Sequence, residues 1–512
     1  MSTAPSRSTR RTFLQASSAG VAALSGGLGF LARLPRVSAQ EAALSPGLVK
    51  FDDSIETLVR LIEESPRQRL LEEIADRIQR GRSYREVLAA LLLAGVRNVQ
   101  PRPSVGFKFH AVLVVNSCHL ASLSGPEEDR WLPIFWALDY FKSAQADEAR
   151  TSGWRMQPVN NALVPDAPRA AAMFAEAMDA WDVEKADAAT AGLVRTAGAT
   201  EVFNQFARYA ARDYRAIGHK AIYLANAWRT LQVIGWEHAE PVLRSLAFAM
   251  LEHTGEPNPA TSDLAPDRPW RDNARLLDRI PPHWLDGKND DAVPLRLFET
   301  FRDGSPAAAA EMTADALASG VGPQSVWDGV FVGGGELLMR QPGIVALHGL
   351  TTANAMHYLW RNVNDDRLRG RLLLQACSFN AMFRQAAQGR GRLADRTIDV
   401  LQRAAGTDGA APAVDEILAD ISADRLRAAQ KVCTYLAAGG SAGELVDATR
   451  RMIFLKGRDS HDYKFSSAVL EDYAHVSPAW RDRFLALSVY NLKGSGDRNN
   501  ALVERARAAL KG

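Results

Sequence analysis

Cysteine is scarce in this chain: 512 residues carry three, Cys118, Cys377 and Cys433, and none stands in a CxxC pair. An odd, scattered set excludes a disulfide framework, a zinc ribbon and c-type haem attachment. These three read as small buried apolar side chains. Excess charge of one sign is also missing. Lys and Arg total 61 against 59 Asp and Glu, a formal net charge of +2, which leaves no electrostatic case for nucleic acid. Past the first forty residues no stretch reaches the roughly 18 consecutive apolar residues of a membrane span. Alternating Val/Ile/Thr runs with hairpin turns are absent, which argues against a β domain. There is no GxSxG elbow for Ser-His-Asp chemistry, and no Walker loop or post-strand GxGxxG for nucleotide binding.

The N-terminus carries an export pattern. Thr9-Arg10-Arg11-Thr12-Phe13-Leu14-Gln15 matches a twin-arginine motif, a weakly apolar stretch runs from Ala16 to Leu34, and Pro35 breaks it. Val37-Ser38-Ala39 then offers small residues to a signal peptidase. Residues 1–39 are expected to be a twin-arginine signal peptide, delivered to the twin-arginine export machinery, and the mature protein is expected in the periplasm or otherwise exported. Removing 39 residues leaves 473 (512 − 39) and, because the leader holds five Arg and no acid, a net charge of about −3 (2 − 5). That length can bury a large core.

What is present in abundance is Ala, Leu and Arg, all strong helix formers. Ser83-Tyr84-Arg85-Glu86 is a capping box ahead of Val87 to Ala94. Leu70, Leu71, Ile74 and Ile78 recur at helical spacing. Gly153 to Arg169 and the proline-rich Gly255 to Asp291 read as long irregular segments, and Gly406 to Pro412 as a linker. The triple glycine Gly333-Gly334-Gly335 is expected to mark a tight turn or a close helix approach. The fold class is all-α.

Four histidines recur along this background. They open the segments Phe109-His110-Ala111 to Asn116, Gly218-His219-Lys220 to Asn226, Leu347-His348-Gly349 to Asn354, and Ser460-His461-Asp462 to Ala468. The steps are 109 (219 − 110), 129 (348 − 219) and 113 (461 − 348). Roughly twenty residues on, each unit shows a second helical stretch: Trp131 to Leu138, Pro241 to Phe248, Arg369 to Ala376, and Trp480 to Leu487. The expected architecture is therefore a set of repeated helical hairpins packed into one large body around a central site. Residues 40–512 form a single domain of about four divergent units, near 100–145, 210–255, 340–385 and 455–495. Converging imidazoles bind a transition metal.

An asparagine follows the histidine by six residues in units one and three and by seven in unit two, nearly two turns along one helix face. Two roles are open to it: orienting the histidine, or an interhelical polar contact. In unit two, His219 stands beside Lys220, and the register admits either. His119 and His357 lie nine residues past the first histidine, 2.5 turns away on the opposite face, and read as packing residues. In unit four no asparagine matches. Lys464 instead sits at i+3 from His461 on the same face. It is either one partner of a salt bridge to Asp459 or Asp462, or a buried amine able to take up carbon dioxide as a carbamate.

These segments resemble the questin oxidase-like family, an all-helical family that includes fungal enzymes opening anthraquinone rings oxidatively. Its repeated helices begin with histidines followed by apolar residues, and its last unit carries a His-x-x-Lys pattern that His461-Asp462-Tyr463-Lys464 looks like. The resemblance covers roughly Phe51 to Val503 in outline. It implies a non-haem iron held by His110, His219, His348, His461 and a carboxylated Lys464, with zinc as the alternative ion. It also implies an oxidoreductase, a dioxygenase or monooxygenase, that uses dioxygen on an aromatic or polycyclic small molecule. Phe107, Phe109, Tyr223, Trp228, Tyr358, Trp360, Tyr463 and Phe465 could line a flat pocket for it, although core packing accounts for most of them. Two other functions fit the same residues: a zinc-dependent hydrolase, and a non-enzymatic helical repeat that only binds a partner.

Overall fold

A computed structural model describes residues 49, 51, 53–102, 105–251, 256–401 and 411–511. The export leader lies outside the described residues, as does most of the Gly406 to Pro412 linker. Within them the chain forms 23 α-helices and no strand; the sole β feature is one isolated bridge between Lys288 and Val321. No described helix is long and apolar enough to cross a membrane.

The centre of the molecule is a closed ring of four helices, one from each unit: Val115–Ser124, His219–Ile234, Ile344–Asn362 and Ser460–Asp472. Each packs against the next, and the fourth returns to the first. The histidines lie at or just before the helix starts and their rings meet (below), so all four helices run in the same direction. Parallel neighbours cannot be joined by short turns, which is why a second helix follows each one. Leu132–Thr151, Ala239–Met250, Asp366–Gln388 and Arg481–Ser488 pack against their respective ring helices, giving four hairpins. One continuous apolar cluster joins the units, from Val49 to Ala506.

Local sequence explains the joints. The Ser83 hydroxyl accepts from the Glu86 amide, and Glu86 reaches back to the Ser83 amide, completing the capping box of helix Tyr84–Asn98. The triple glycine sits inside helix Pro323–Arg340, where it permits close approach. A Cβ on Gly333 would lie 2.7 Å from Phe301, and one on Gly335 would lie 2.9 Å from Leu487. One expectation needs correcting. The segment from Gly255 to Asp291 is not irregular throughout, because it contains helix Arg268–Leu276. Pro269 stands in its first turn, where a missing amide costs nothing. The Arg371 guanidinium stacks on Trp270 at 3.7 Å and fixes the helix to its neighbour.

The amino-terminal helix Asp53–Glu64 is tied on by a buried cation. Arg97 is fully buried and bridges Glu56 at 2.9 Å and Glu63 at 2.7 Å. Arg97→Ala strands a buried carboxylate, so it is expected to cost about 3–5 kcal/mol. Urea unfolding of the purified variant measures this, and a loss below 1 kcal/mol would refute it.

Candidate metal centre

The four histidines arrive at one place by different local routes. His219 is the first residue of its helix, and His348 the fifth. His461 is the second, behind the N-cap Asp459. His110 opens a short turn, His110–Leu113, before the ring helix starts at Val115. Their ring centroids lie 4.5 Å apart for His219 and His348, 4.6 Å for His110 and His461, and 5.0 Å for His110 and His219. Nitrogens of His110, His348 and His461 all fall within 4.8 Å of one another. The Nε2 of His219 lies 3.0 Å from His110 Nε2 and 3.1 Å from His348 Nε2.

Hydrogen bonding fixes which nitrogen carries the proton. His110 Nδ1 is 2.8 Å from the Phe107 carbonyl, His219 Nδ1 is 2.8 Å from the Ala216 carbonyl, and His348 Nδ1 is 2.6 Å from the Ile344 carbonyl. A carbonyl oxygen only accepts, so each Nδ1 donates. In a neutral ring the Nε2 is then a bare lone pair. Burial, helped by the neighbouring histidines and Lys464, pushes all three well below the ordinary histidine value, so the rings are neutral. Three lone pairs thus face one another at close range with no proton between them. That arrangement is repulsive unless a cation sits among them.

His461 completes the set differently. Its Nδ1 donates to the Asp459 carboxylate at 2.5 Å, and the hydrogen bond holds that carboxyl well below its usual range. Its Nε2 is buried and has no partner among the described residues. A carboxylate behind a histidine is the usual orienting partner of a metal ligand. Lys464 lies one turn further in, 2 % exposed, and its Nζ also has no partner among the described residues. Burial lowers its ammonium to about 7, against the pull of Asp459. The surface salt bridge expected for it does not form; Asp462 pairs with Lys493 instead, at 2.9 Å.

The register of unit two is now clear. His219 joins the cluster, while Lys220 turns away into a buried ion pair with Asp213 at 2.6 Å. Asp213 also accepts from the Arg215 amide, so the pair braces the loop that presents the Ala216 carbonyl. Two residues just before the histidines adopt strained left-handed backbone, Phe107 at φ 45° and Ile217 at φ 43°. Such strain persists only where the surroundings enforce it.

The asparagines do not orient the histidines. Asn116 donates to Asn226 at 3.4 Å, Asn226 to the Leu113 carbonyl at 3.0 Å, and Asn354 to Glu471 and Asp472. They form an interhelical layer below the cluster. His119 is bonded to the Tyr84 hydroxyl at 3.0 Å, and His357 packs between Trp327 and Trp360. Of the eight aromatic residues near the units, Phe109, Tyr223, Trp228, Tyr463 and Phe465 are core. Phe107 is 75 % exposed and lies beside the centre. The residues that sequence reasoning missed are Asp459 as a partner of His461, and the three carbonyls. Only Asp459 left a signal: an N-cap acid two residues ahead of a histidine.

Comparison with protein-family models, with curated proteins and with solved structures gives no match.

Two measurements follow from this geometry. The imidazoles of His110, His219 and His348 accept protons less readily folded than unfolded, so their contribution is complete above about pH 6.5 and fades as pH falls below it. The metal-free chain should lose up to about 1.4 kcal/mol per histidine per pH unit there, and equal urea midpoints at pH 7.5 and 5.5 would contradict this. Asp459→Asn preserves the helix cap and removes only the charge behind His461. It should weaken metal binding by about tenfold, as read by competition with a chelator.

Proposed function

We propose that this protein is a metal-dependent oxygenase in which His110, His219, His348 and His461 hold a non-haem iron(II) and an aromatic or polycyclic small molecule is oxidised with dioxygen. The observation that carries the metal is the convergence of Nε2 lone pairs, each ring already committed through Nδ1. Spacing bears on which metal. Two ligands bound at about 2.1 Å stand about 3.0 Å apart at a right angle and about 3.4 Å apart at a tetrahedral angle. The nitrogen contacts of 3.0 and 3.1 Å would suit an octahedral ion such as iron(II) better than tetrahedral zinc, the ion of the alternative hydrolase reading. Four neutral ligands leave the ion's charge uncompensated, and Lys464 as a carbamate would supply an anionic oxygen. Its buried, unpartnered Nζ with a lowered proton affinity suits that reaction with carbon dioxide.

The four histidines would hold the iron, which when bound would supply a redox centre for dioxygen chemistry. The chain's own residues position and exclude. Burial of His219 and His348 keeps water from their rings, and Gly106 lets the backbone pass close by: a Cβ there would stand 3.5 Å from the His219 ring and 3.8 Å from the His110 ring. The exposed Phe107 next to it offers an apolar edge to an entering substrate. The leader motif Thr9 to Gln15 supports work outside the cytoplasm.

The test is total metal by mass spectrometry on anaerobically purified mature protein beside His348→Ala. About one iron per chain, lost in the variant with helicity retained, together with oxygen uptake on a phenolic panel, is the expected result. One zinc per chain would transfer the assignment to hydrolysis. A metal-free wild type would end the metal reading and leave a helical binding protein.

A further inference from the structure

A narrow cavity with about 10 Å³ of free space, room for about one water, lies between the ring helices and is lined by residues of all four. Its wall holds Asn116, Asn226 and Asn354 at matching positions of three units, with Ser467 and Ala468 at that level of the fourth and Lys464 and Glu471 on either side of them. Lys464 and Glu471 are seven residues apart, about 10.5 Å along their helix. At one end of the cavity stand Glu471 and Arg229, and Asp472 follows Glu471 in the chain, buried behind the lining. Arg229 donates to both oxygens of Glu471, at 2.8 and 3.0 Å. Asp472 has no cation of its own. It is fully buried, its Oδ1 accepts from the Asn354 amide at 2.8 Å, and its Oδ2 has no partner among the described residues. The same Asn354 amide also serves Glu471, at 2.9 Å.

We propose that Asp472 and Glu471 form a proton relay at the base of the ring, Asp472 standing as a neutral carboxylic acid whose proton exchanges with solvent through Glu471. Three features carry this. Arg229 pairs with Glu471 alone and leaves the buried Asp472 carboxyl, the next residue in the chain, without a cation, and like charges that close do not both ionise. Asp472 is the last residue of its helix, where the macrodipole disfavours an anion. Glu471 is placed to pass the proton, since its side chain is about one-third exposed on one side and lines the cavity on the other. Burial and the Glu471 charge both act to hold the Asp472 proton. The other charged or titratable groups around the pair are Arg450, Arg361, His357 and His475. The two arginines oppose proton retention, but they lie towards Glu471 and His475. The transfer balances simply: the Asp472 O–H bond breaks, a carboxylate remains, the proton passes to Glu471 or to cavity water, and a solvent proton restores the acid.

Only the destination of this proton rests on the oxygenase reading; the acid itself can be seen without metal or substrate. The experiment is infrared spectroscopy of the mature protein at pH 7.5, with metal content recorded in parallel. A carbonyl stretching band of a protonated carboxyl is expected. It should vanish in Asp472→Asn and, in the unmutated protein, shift when aspartate side chains are labelled with carbon-13. Absence of the band, or a band that labelling does not move, overturns the acid. On transfer to heavy water the band should shift at least tenfold more slowly in Glu471→Gln than in wild type, and Glu471→Asp, which retains a carboxyl, should recover most of the rate. An unchanged rate in Glu471→Gln overturns the relay, because a merely structural Glu471 would leave exchange to global opening.

Discussion

Four helix N-termini directed at one point set the terms for everything else in this molecule. Each helix end carries about half an elementary positive charge in its unpaired amides, so a parallel ring concentrates positive potential at the histidine end and negative potential at the other. Protonated imidazoles would be repelled there, which adds to the burial that keeps His110, His219 and His348 neutral. An acid at the far end is held in its protonated form for the same reason. Antiparallel bundles cancel these fields between neighbours. The parallel ring does not, and the outer helix of each hairpin is the topological requirement for keeping it parallel.

A cation in that positive region needs compensation, and the chain supplies it unevenly. Three histidines are fixed by backbone carbonyls, which orient a ring without bringing charge. The fourth is fixed by Asp459, a full negative charge. The fourth unit is also the one that lacks the asparagine and brings Lys464 and Glu471 to the cavity wall instead. Charge balance is therefore concentrated in one of four otherwise similar units, and the site is electrostatically lopsided although its histidines are arranged in a ring. An anionic ligand on the side of His110 and His219 would face neutral rings and helix N-termini rather than carboxylates.

Much of this was legible in the sequence because helices are periodic and local. The recurrence of His110, His219, His348 and His461, each followed by an apolar stretch and a second helix about twenty residues on, is a pattern in one dimension, and the hairpins follow from it. The capping box at Ser83 is equally local. What was not legible depends on backbone. The carbonyls of Phe107, Ala216 and Ile344 have no residue signature, and the left-handed turns at Phe107 and Ile217 place them against residue preference. The register of His219 against Lys220 required Asp213, which the loop brings back from seven residues away. The asparagines show the limit of spacing arguments. Their shared face was read correctly, but six or seven residues is two turns of rise, about 9–10 Å, too far for contact with the histidine that defines the face.

That same rise explains why the ring can hold two different chemistries on one axis. The histidine layer and the Glu471–Asp472 layer are separated by roughly ten residues of helix, about 15 Å, with Lys464 and the asparagine layer between them. Over that distance a direct Coulomb interaction through a protein interior is weak but not negligible: a double charge and a single charge interact by about 2 kcal/mol at an effective dielectric of 20. The asparagines are neutral and unable to ionise, Asn116 bonded to Asn226 and Asn354 to the two carboxyls, so they transmit this field without adding a charge of their own. A layer of carboxylates there would bind the cation away from the histidines, and a layer of leucines would close the cavity. Neutral amides are the residue type that keeps the two ends in electrostatic contact while keeping their chemistry apart.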